Sequence, residues 1–182
     1  MALVESVSIQ LGTKMPDFFL ATPDEESLSS DSLMGEKGLL VVFTCNHCPY
    51  AIAIWDRVIA LANEFESKGI STVAINPNIH PGYPEDSSEN MTRLIEQRGI
   101  EFPYLVDPDQ SVARSYDAQC TPDLYLLNTK QELVYHGRLD DNWQRPDQVE
   151  KQDLRLAMTA LVAGESLLDT QLPSMGCSIK WS

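Results

Sequence analysis

The sequence predicts an α/β protein in which helices cover a central mixed sheet. Leu39-Leu40-Val41-Val42-Phe43 is apolar at every position, as expected of a strand buried on both faces. A long segment with helical spacing follows it and leads to a second apolar strand, Ser71–Ile75; a helical crossover of this kind joins parallel strands. Further on, Leu124–Leu127 and Leu133–His136 flank Asn128-Thr129-Lys130-Gln131 and read as a β-hairpin, which adds antiparallel strands.

The remaining elements fall around these. Asp17–Leu20 reads as a short strand, and the polar stretch Thr22–Ser32 as an exposed hairpin or loop. In the crossover helix Ile52, Trp55, Ile59 and Ala62 form one apolar stripe and Ile54, Val58, Leu61 and Phe65 a second. Asp56, Arg57, Asn63, Glu64 and Glu66 are left for solvent. Pro49 suits the first turn, where a missing N–H costs little, and Gly69 stops the helix. Asn76–Pro84 holds three prolines and a glycine and is expected to be a loop. Pro84-Glu85-Asp86 is expected to open a helix whose apolar stripe is Met91, Leu94 and Ile95. Tyr104–Val106 reads as a strand, and Val112, Ala113 and Tyr116 as a brief helix. Leu154, Ala157, Met158, Leu161 and Val162 mark an amphipathic helix ended by Gly164. The 182 residues suit one domain, 1–182, with its core at about 12–164 and a surface extension at 165–182.

A net charge of −14 argues against a nucleic-acid partner and against binding to an anionic membrane, since both select Lys and Arg. No apolar run approaches the roughly 18 residues of a membrane span. Nor does the start, Met1-Ala2-Leu3-Val4-Glu5-Ser6, have the basic residues and apolar run of a secretory signal, so a cytoplasmic location is expected. In a reducing compartment the four cysteines are expected to be thiols, redox centres or metal ligands rather than permanent cross-links.

Cys45-Asn46-His47-Cys48 lies where the first apolar strand gives way to the helix. Thiols at this spacing can close and reopen a small disulfide ring. The free N–H groups and positive pole of a helix N-terminus stabilise a thiolate. The arrangement therefore points to redox chemistry.

With these residues in place the chain resembles the thioredoxin superfamily, and in particular its redoxin branch of alkyl hydroperoxide reductase-like and thiol-specific-antioxidant-like proteins. Gly12-Thr13-Lys14-Met15-Pro16-Asp17-Phe18 resembles the opening segment of redoxins. Phe43–Pro49 resembles the active-site turn, and Cys120-Thr121-Pro122-Asp123 resembles the cis-proline loop that faces the dithiol. Gly137–Trp143 and Met175–Trp181 resemble an uncharacterised thioredoxin-family subgroup, which assigns them no role.

The resemblance implies a thioredoxin-like fold with redoxin-type N-terminal strands. It also implies a thiol–disulfide oxidoreductase that needs no cofactor or metal and exchanges with protein thiols and disulfides, with antioxidant activity as an associated expectation. The electron donor, the direction of flux and the oligomeric state are not legible. On this pattern Cys45 is the exposed nucleophile and Cys48, one turn into the helix, resolves the mixed disulfide. His47 is expected to lower the Cys45 pKa and make the pair more oxidising within a range of about −270 to about −120 mV; the alternative is a solvent-facing ring without a tuning role. A cis bond before Pro122 is expected to hold the Thr121 backbone exposed for an extended substrate to pair with. The buried acid that many thioredoxins carry six residues before the first cysteine is here Leu39.

Cys120 is either a third redox thiol or a small space-filling residue, and Cys177 a resolving thiol or, preferably, a chance surface cysteine. His80 and His136 read as a loop and a strand-end residue. Two rival readings remain. A peroxiredoxin-like peroxidase needs a Thr or Ser three residues before its cysteine and a distant arginine. Thr44 fits neither thiol at that spacing, and nothing singles out Arg114 or Arg138. A metal-binding or redox-inactive interaction module is the other; zinc sites usually show a second close ligand pair, which is lacking here.

Overall fold

The computed structural model describes residues 3–166 and 171–182; residues 167–170, inside the expected extension, lie outside the described residues. In chain order the elements are β1 (Leu3–Glu5), β2 (Phe19–Ala21), β3 (Ser27–Ser29), α1 (Ser30–Leu33), β4 (Gly38–Phe43) and α2 (Pro49–Glu66). Next come β5 (Ile70–Asn76), α3 (Ser88–Arg98), β6 (Tyr104–Val106), α4 (Ser111–Ser115) and β7 (Cys120–Thr121). β8 (Asp123–Asn128), β9 (Leu133–Gly137), α5 (Asp153–Ala163) and β10 (Met175–Ser178) complete the chain.

Seven strands form the main sheet in the order β3-β2-β6-β5-β4-β8-β9. β4 pairs parallel with β5 and β5 with β6, while β8 lies antiparallel against β4 and β9 against β8. The α/β class with a mixed sheet, thioredoxin-like, is therefore present. β4 is central, and period-two alternation divides its side chains between two cores. Leu40 and Val42 face a cluster with Trp55, Val58 and Phe65 of α2 and with Leu154 and Met158 of α5. Leu39, Val41 and Phe43 face a second with Phe18, Tyr116 and Tyr125. Both faces are covered, so the strand has no polar side, and Leu39 is a core residue.

The sequence expectations hold for β4, α2, β5, β6, α4, the β8–β9 hairpin and α5, whose last turn closes on Gly164 in the left-handed region (φ 70°). One boundary moves. The acids of Pro84–Asp86 belong to a separate 3₁₀ turn, and α3 starts after Ser87, whose hydroxyl accepts the Asn90 N–H. The polar stretch 22–32 carries the turn and second strand of the expected hairpin, β3 pairing antiparallel with β2, and then a capped helical turn.

The larger correction concerns the C-terminal segment. Residues 175–178 are not a surface extension but the middle strand of a second sheet, β1-β10-β7. Leu3 pairs with Cys177 on one side of it, and Thr121 pairs with Cys177 on the other. The segment after it is fastened as well: Ile179 N–H donates to Gln119 O, Lys180 N–H to Asn78 Oδ1, and Gln110 Nε2 to Lys180 O. Burial of Ile179 in the second core adds the hydrophobic part. Among the described residues no helix is long and apolar enough to cross a membrane.

Candidate redox site

The two sulfurs sit where β4 ends and α2 begins, and the helix boundary decides their environments. α2 starts at Pro49 and its N-cap is Cys48. Cys48, not Cys45, therefore stands at the positive end of an 18-residue helix. Both residues are fully buried, packed with Ala51 and Cys177. Thus the expectation of an exposed Cys45 at the helix mouth is corrected on both counts.

The electrostatics follow the geometry. The Cys48 thiol is held well below the usual range, first by a hydrogen bond from the Cys45 thiol. A bond from the Cys177 thiol and the Ala51 and Cys177 N–H groups add to this, against the cost of burial. Cys45 is pushed well up by burial, by serving as hydrogen-bond donor to Cys48, and by the charge of Asp86; its contact with the Thr121 hydroxyl acts the other way. In the thiol form Cys48 donates to Thr121 O at 3.0 Å, while Cys45 Sγ and Thr121 Oγ1 lie 3.3 Å apart. The pair is polarised, with Cys48 the more acidic member.

His47 is fixed in place by its neighbours. Its Nδ1 is bound to Asp86 Oδ2, and its ring stacks on Tyr83 at 4.4 Å between centroids. Its Nε2 is buried without a partner. Asp86 in turn accepts the Asn46 N–H at 2.6 Å and the Asn76 Nδ2 at 3.0 Å. Asn46 also accepts from the Tyr104 hydroxyl at 3.0 Å, which pins the turn between the cysteines. The sequence reading missed Asp86 as a site residue because an acid after Pro84 reads as a helix-opening charge. Its only sign, in retrospect, is that two acids share a three-residue turn after a proline-rich loop.

The bond between Thr121 and Pro122 is cis, as expected. Thr121 itself is completely buried, however, because β10 already pairs with it. The expected open edge for a substrate strand is occupied by this chain's own C-terminal segment. Gly176 makes that possible: a Cβ there would stand 2.0 Å from Thr121 O. Cys120 points away from the dithiol, with its thiol 3.5 Å from Pro122 O, and burial pushes it far up, so the structure does not bring it into the thiol cluster. Cys177, read as a chance surface cysteine, is the thiol that joins the pair instead.

Neighbouring elements complete the rim. Arg57 of α2 binds Asp140 and donates to Asn142 O at 3.0 Å and Trp143 O at 2.6 Å. This gives Gly137–Trp143 a task, since it lays Trp143 on Tyr50 of the first turn of α2, with centroids 4.2 Å apart. A groove of about 230 Å³ runs against Pro122, bordered by Ile54, Leu124, Trp143, Leu172 and Met175. His136 is not a plain strand-end residue: its Nε2 lies 2.9 Å from Asp123 Oδ1, a buried pair just after the cis-proline. Of the two arginines considered for peroxide chemistry, Arg114 lies over the Trp181 ring and Arg138 donates to Asp153 at 2.7 Å.

The family model for AhpC/TSA proteins matches residues 11–136, which span the dithiol and the cis-proline loop. The chain belongs to the AhpC/TSA family. That places it in the redoxin branch of the thioredoxin superfamily. Among solved structures, this AhpC/TSA chain is similar to an uncharacterised conserved protein from Geobacillus kaustophilus. The two share 41% identity and a TM-score of 0.94, over 100% of this chain and 97% of that one.

Two curated relatives lie on either side of the functional question. The thiol–disulfide oxidoreductase ResA of Halalkalibacterium halodurans is 24% identical over 123 residues, 68% of this chain and 65% of ResA. The peroxiredoxin-named bcp protein of Helicobacter pylori is 27% identical over 117 residues, 64% of this chain and 72% of bcp. The chain thus spans just under two thirds of the length of the ResA protein it matches.

Metal chemistry has one candidate donor set among the described residues: Cys45 Sγ, a His47 nitrogen and an Asp86 oxygen lie within 4.8 Å of one another. Three donors of this kind fall one short of a closed zinc shell, and Asp86 is already engaged by three polar partners.

Proposed function

We propose that this protein is a thiol–disulfide oxidoreductase that works through the Cys45 and Cys48 dithiol. The observation that carries the reading is the buried thiol pair at the start of α2, both of whose sulfurs contact Thr121 beside cis-Pro122. Cys48 attacks one sulfur of a substrate disulfide as thiolate, forming a mixed disulfide and releasing the other half as thiolate. Cys45 then loses its proton and attacks the Cys48 sulfur. The substrate leaves reduced, and the Cys45–Cys48 disulfide holds the two electrons' worth of oxidation. The roles are thus the reverse of those the sequence suggested.

Proton handling falls to His47 and Asp86. The acid absent at Leu39 has a counterpart in Asp86, which lies with His47 within 4.8 Å of the Cys45 sulfur. The free Nε2 of His47 and the carboxylate behind its Nδ1 make a base suited to taking the Cys45 proton. The groove against Pro122 offers apolar contact for a residue beside the substrate cysteine. Partners are then protein thiols and disulfides with an electron donor, in a reducing cytoplasm, and antioxidant duty follows from the same exchange.

A second reading, thiol peroxidase, is favoured by one observation: both sulfurs are fully buried, which admits a small oxidant more readily than a protein chain. Disulfide reduction and peroxide consumption by wild type, Cys48→Ser and Cys45→Ser separate the two. Disulfide reduction is expected to dominate in the wild type, and Cys48→Ser to lower it by at least ~100-fold. Cys45→Ser should keep the first, stoichiometric release of substrate thiol. Rapid peroxide turnover with little disulfide reduction would replace the first reading with the second.

A further inference from the structure

Resting on the dithiol reading, we propose that Cys177 is a third redox thiol of the site, one that exchanges with Cys45 for the Cys48 sulfur. Three structural facts place it there. In the antiparallel pairing of β10 with β7, Cys177 stands opposite Thr121 and Ser178 opposite Cys120. Side chains alternate along a strand, so Cys177 and Thr121 share one face and Cys120 lies on the other. That shared face is the dithiol's: Thr121 touches Cys45 through its hydroxyl and Cys48 through its carbonyl. Cys177 packs in the same cluster as Cys45, Cys48 and Ala51.

The strand that carries it is held rather than loose. β1 pairs with its outer edge, Ser174 Oγ donates to Gly137 O at 2.6 Å, and Lys180 N–H donates to Asn78 Oδ1 at 2.9 Å. Gly176, beside Cys177, allows the close approach to the Thr121 carbonyl. A thiol so fixed gains the advantage of an intramolecular reactant without the ordering cost of a flexible tail. Cys177 and Cys48 are packed in one small cluster, so the attacking and attacked sulfurs belong to the same buried site.

The step balances without an outside reagent once the dithiol has been oxidised by its substrate. Cys177 gives up its proton and its sulfur attacks Cys48 Sγ. The Cys48–Cys177 bond forms as the Cys45–Cys48 bond breaks, and the electron pair leaves on Cys45, which takes up a proton. One disulfide becomes another at the same oxidation level. Cys48 is the shared sulfur, Cys45 is returned as a thiol, and the oxidation is moved onto the C-terminal strand.

The test uses the full chain and oxidised glutathione as the probe. In Cys45→Ser, Cys48 attacks glutathione disulfide and carries a glutathione adduct, with one glutathione released. Cys177 is expected to displace the second, giving a Cys48–Cys177 disulfide found by mass mapping of the alkylated, unreduced protein. A Cys48–glutathione adduct that persists beside an alkylated Cys177 would overturn the proposal. Wild type and Cys177→Ser provide the control against misfolding. Wild type equilibrated in glutathione buffers should contain both Cys45–Cys48 and Cys48–Cys177 linkages. A Cys45–Cys48 linkage alone at every ratio sinks the role of Cys177 and leaves the dithiol reading intact. Absence of any Cys45–Cys48 linkage sinks the dithiol reading itself.

Discussion

Cys48 and Cys45 are three positions apart, yet the protein treats them as opposites. The difference comes first from the interaction between the two thiols and from burial of Cys45; Ala51, one turn along the helix, then offers an N–H to Cys48, and the distant Asp86 sets a negative charge near Cys45. Because Cys48 is held below the ordinary thiol range, its thiolate fraction should stay high as the solution is acidified. A free thiol with a pKa of about 8.5 loses close to ~100-fold of its thiolate between about pH 8 and about pH 6. The alkylation rate at Cys48, followed by mass spectrometry, is expected to change little over that interval. A fall of about tenfold for each pH unit would show that its hydrogen bonds do not lower its pKa. His47 is held between Asp86 and Tyr83, which fixes its ring near Cys45.

At the scale of elements, β10 is the decisive one. It occupies the edge of β7 and closes over sulfurs that would otherwise face solvent. Its seat depends on Gly176, where even a methyl group would collide with the Thr121 carbonyl. Gly176→Ala is therefore expected to lift β10 and raise the native-state alkylation rate of Cys48 by at least ~10-fold; a loss of this size corresponds to about 1.4 kcal/mol of local closure. Unfolding measured in parallel by denaturant should remain cooperative, since the strand pairing of the main sheet does not run through Gly176. An unchanged alkylation rate would mean that β10 does not guard the thiol. α2 is the other positioning element: Pro49 in its first turn leaves Cys48 as the cap, and Arg57 two turns on ties it to the 140–143 loop.

The whole molecule supports the site through β4, which ends at it. Leu40 and Val42 bind the strand to α2 and α5, while Leu39, Val41 and Phe43 bind it to the opposite core. A loosened β4 would shift Cys45 directly, so stability and reactivity are joined here. Leu40 is completely buried, and Leu40→Ala is expected to cost about 2–5 kcal/mol in denaturant unfolding. A cost under about 1 kcal/mol would mean that the core collapses to fill the space. The charge of −14 keeps the surface soluble and contributes nothing specific to the buried pair, whose neighbours set its chemistry.

The sequence by itself determined the strands, the long helix, the hairpin and the thiol pair. Each is encoded locally, in a run of apolar residues, a 3.6-residue period, a proline at a first turn or a cysteine spacing. It also marked Thr121 and Pro122. Only the tertiary structure brought Asp86, some forty positions downstream, beside Cys45 and His47. Only it brought Cys177 to Cys48 across more than a hundred residues. Met175-Gly176-Cys177-Ser178 is too short and too mixed for its periodicity to mark a strand. It becomes one because β1 and β7 offer two open edges and Gly176 lets the backbones meet. Pairing of that kind is a property of edges brought together by the fold, and no window of sequence contains both of them.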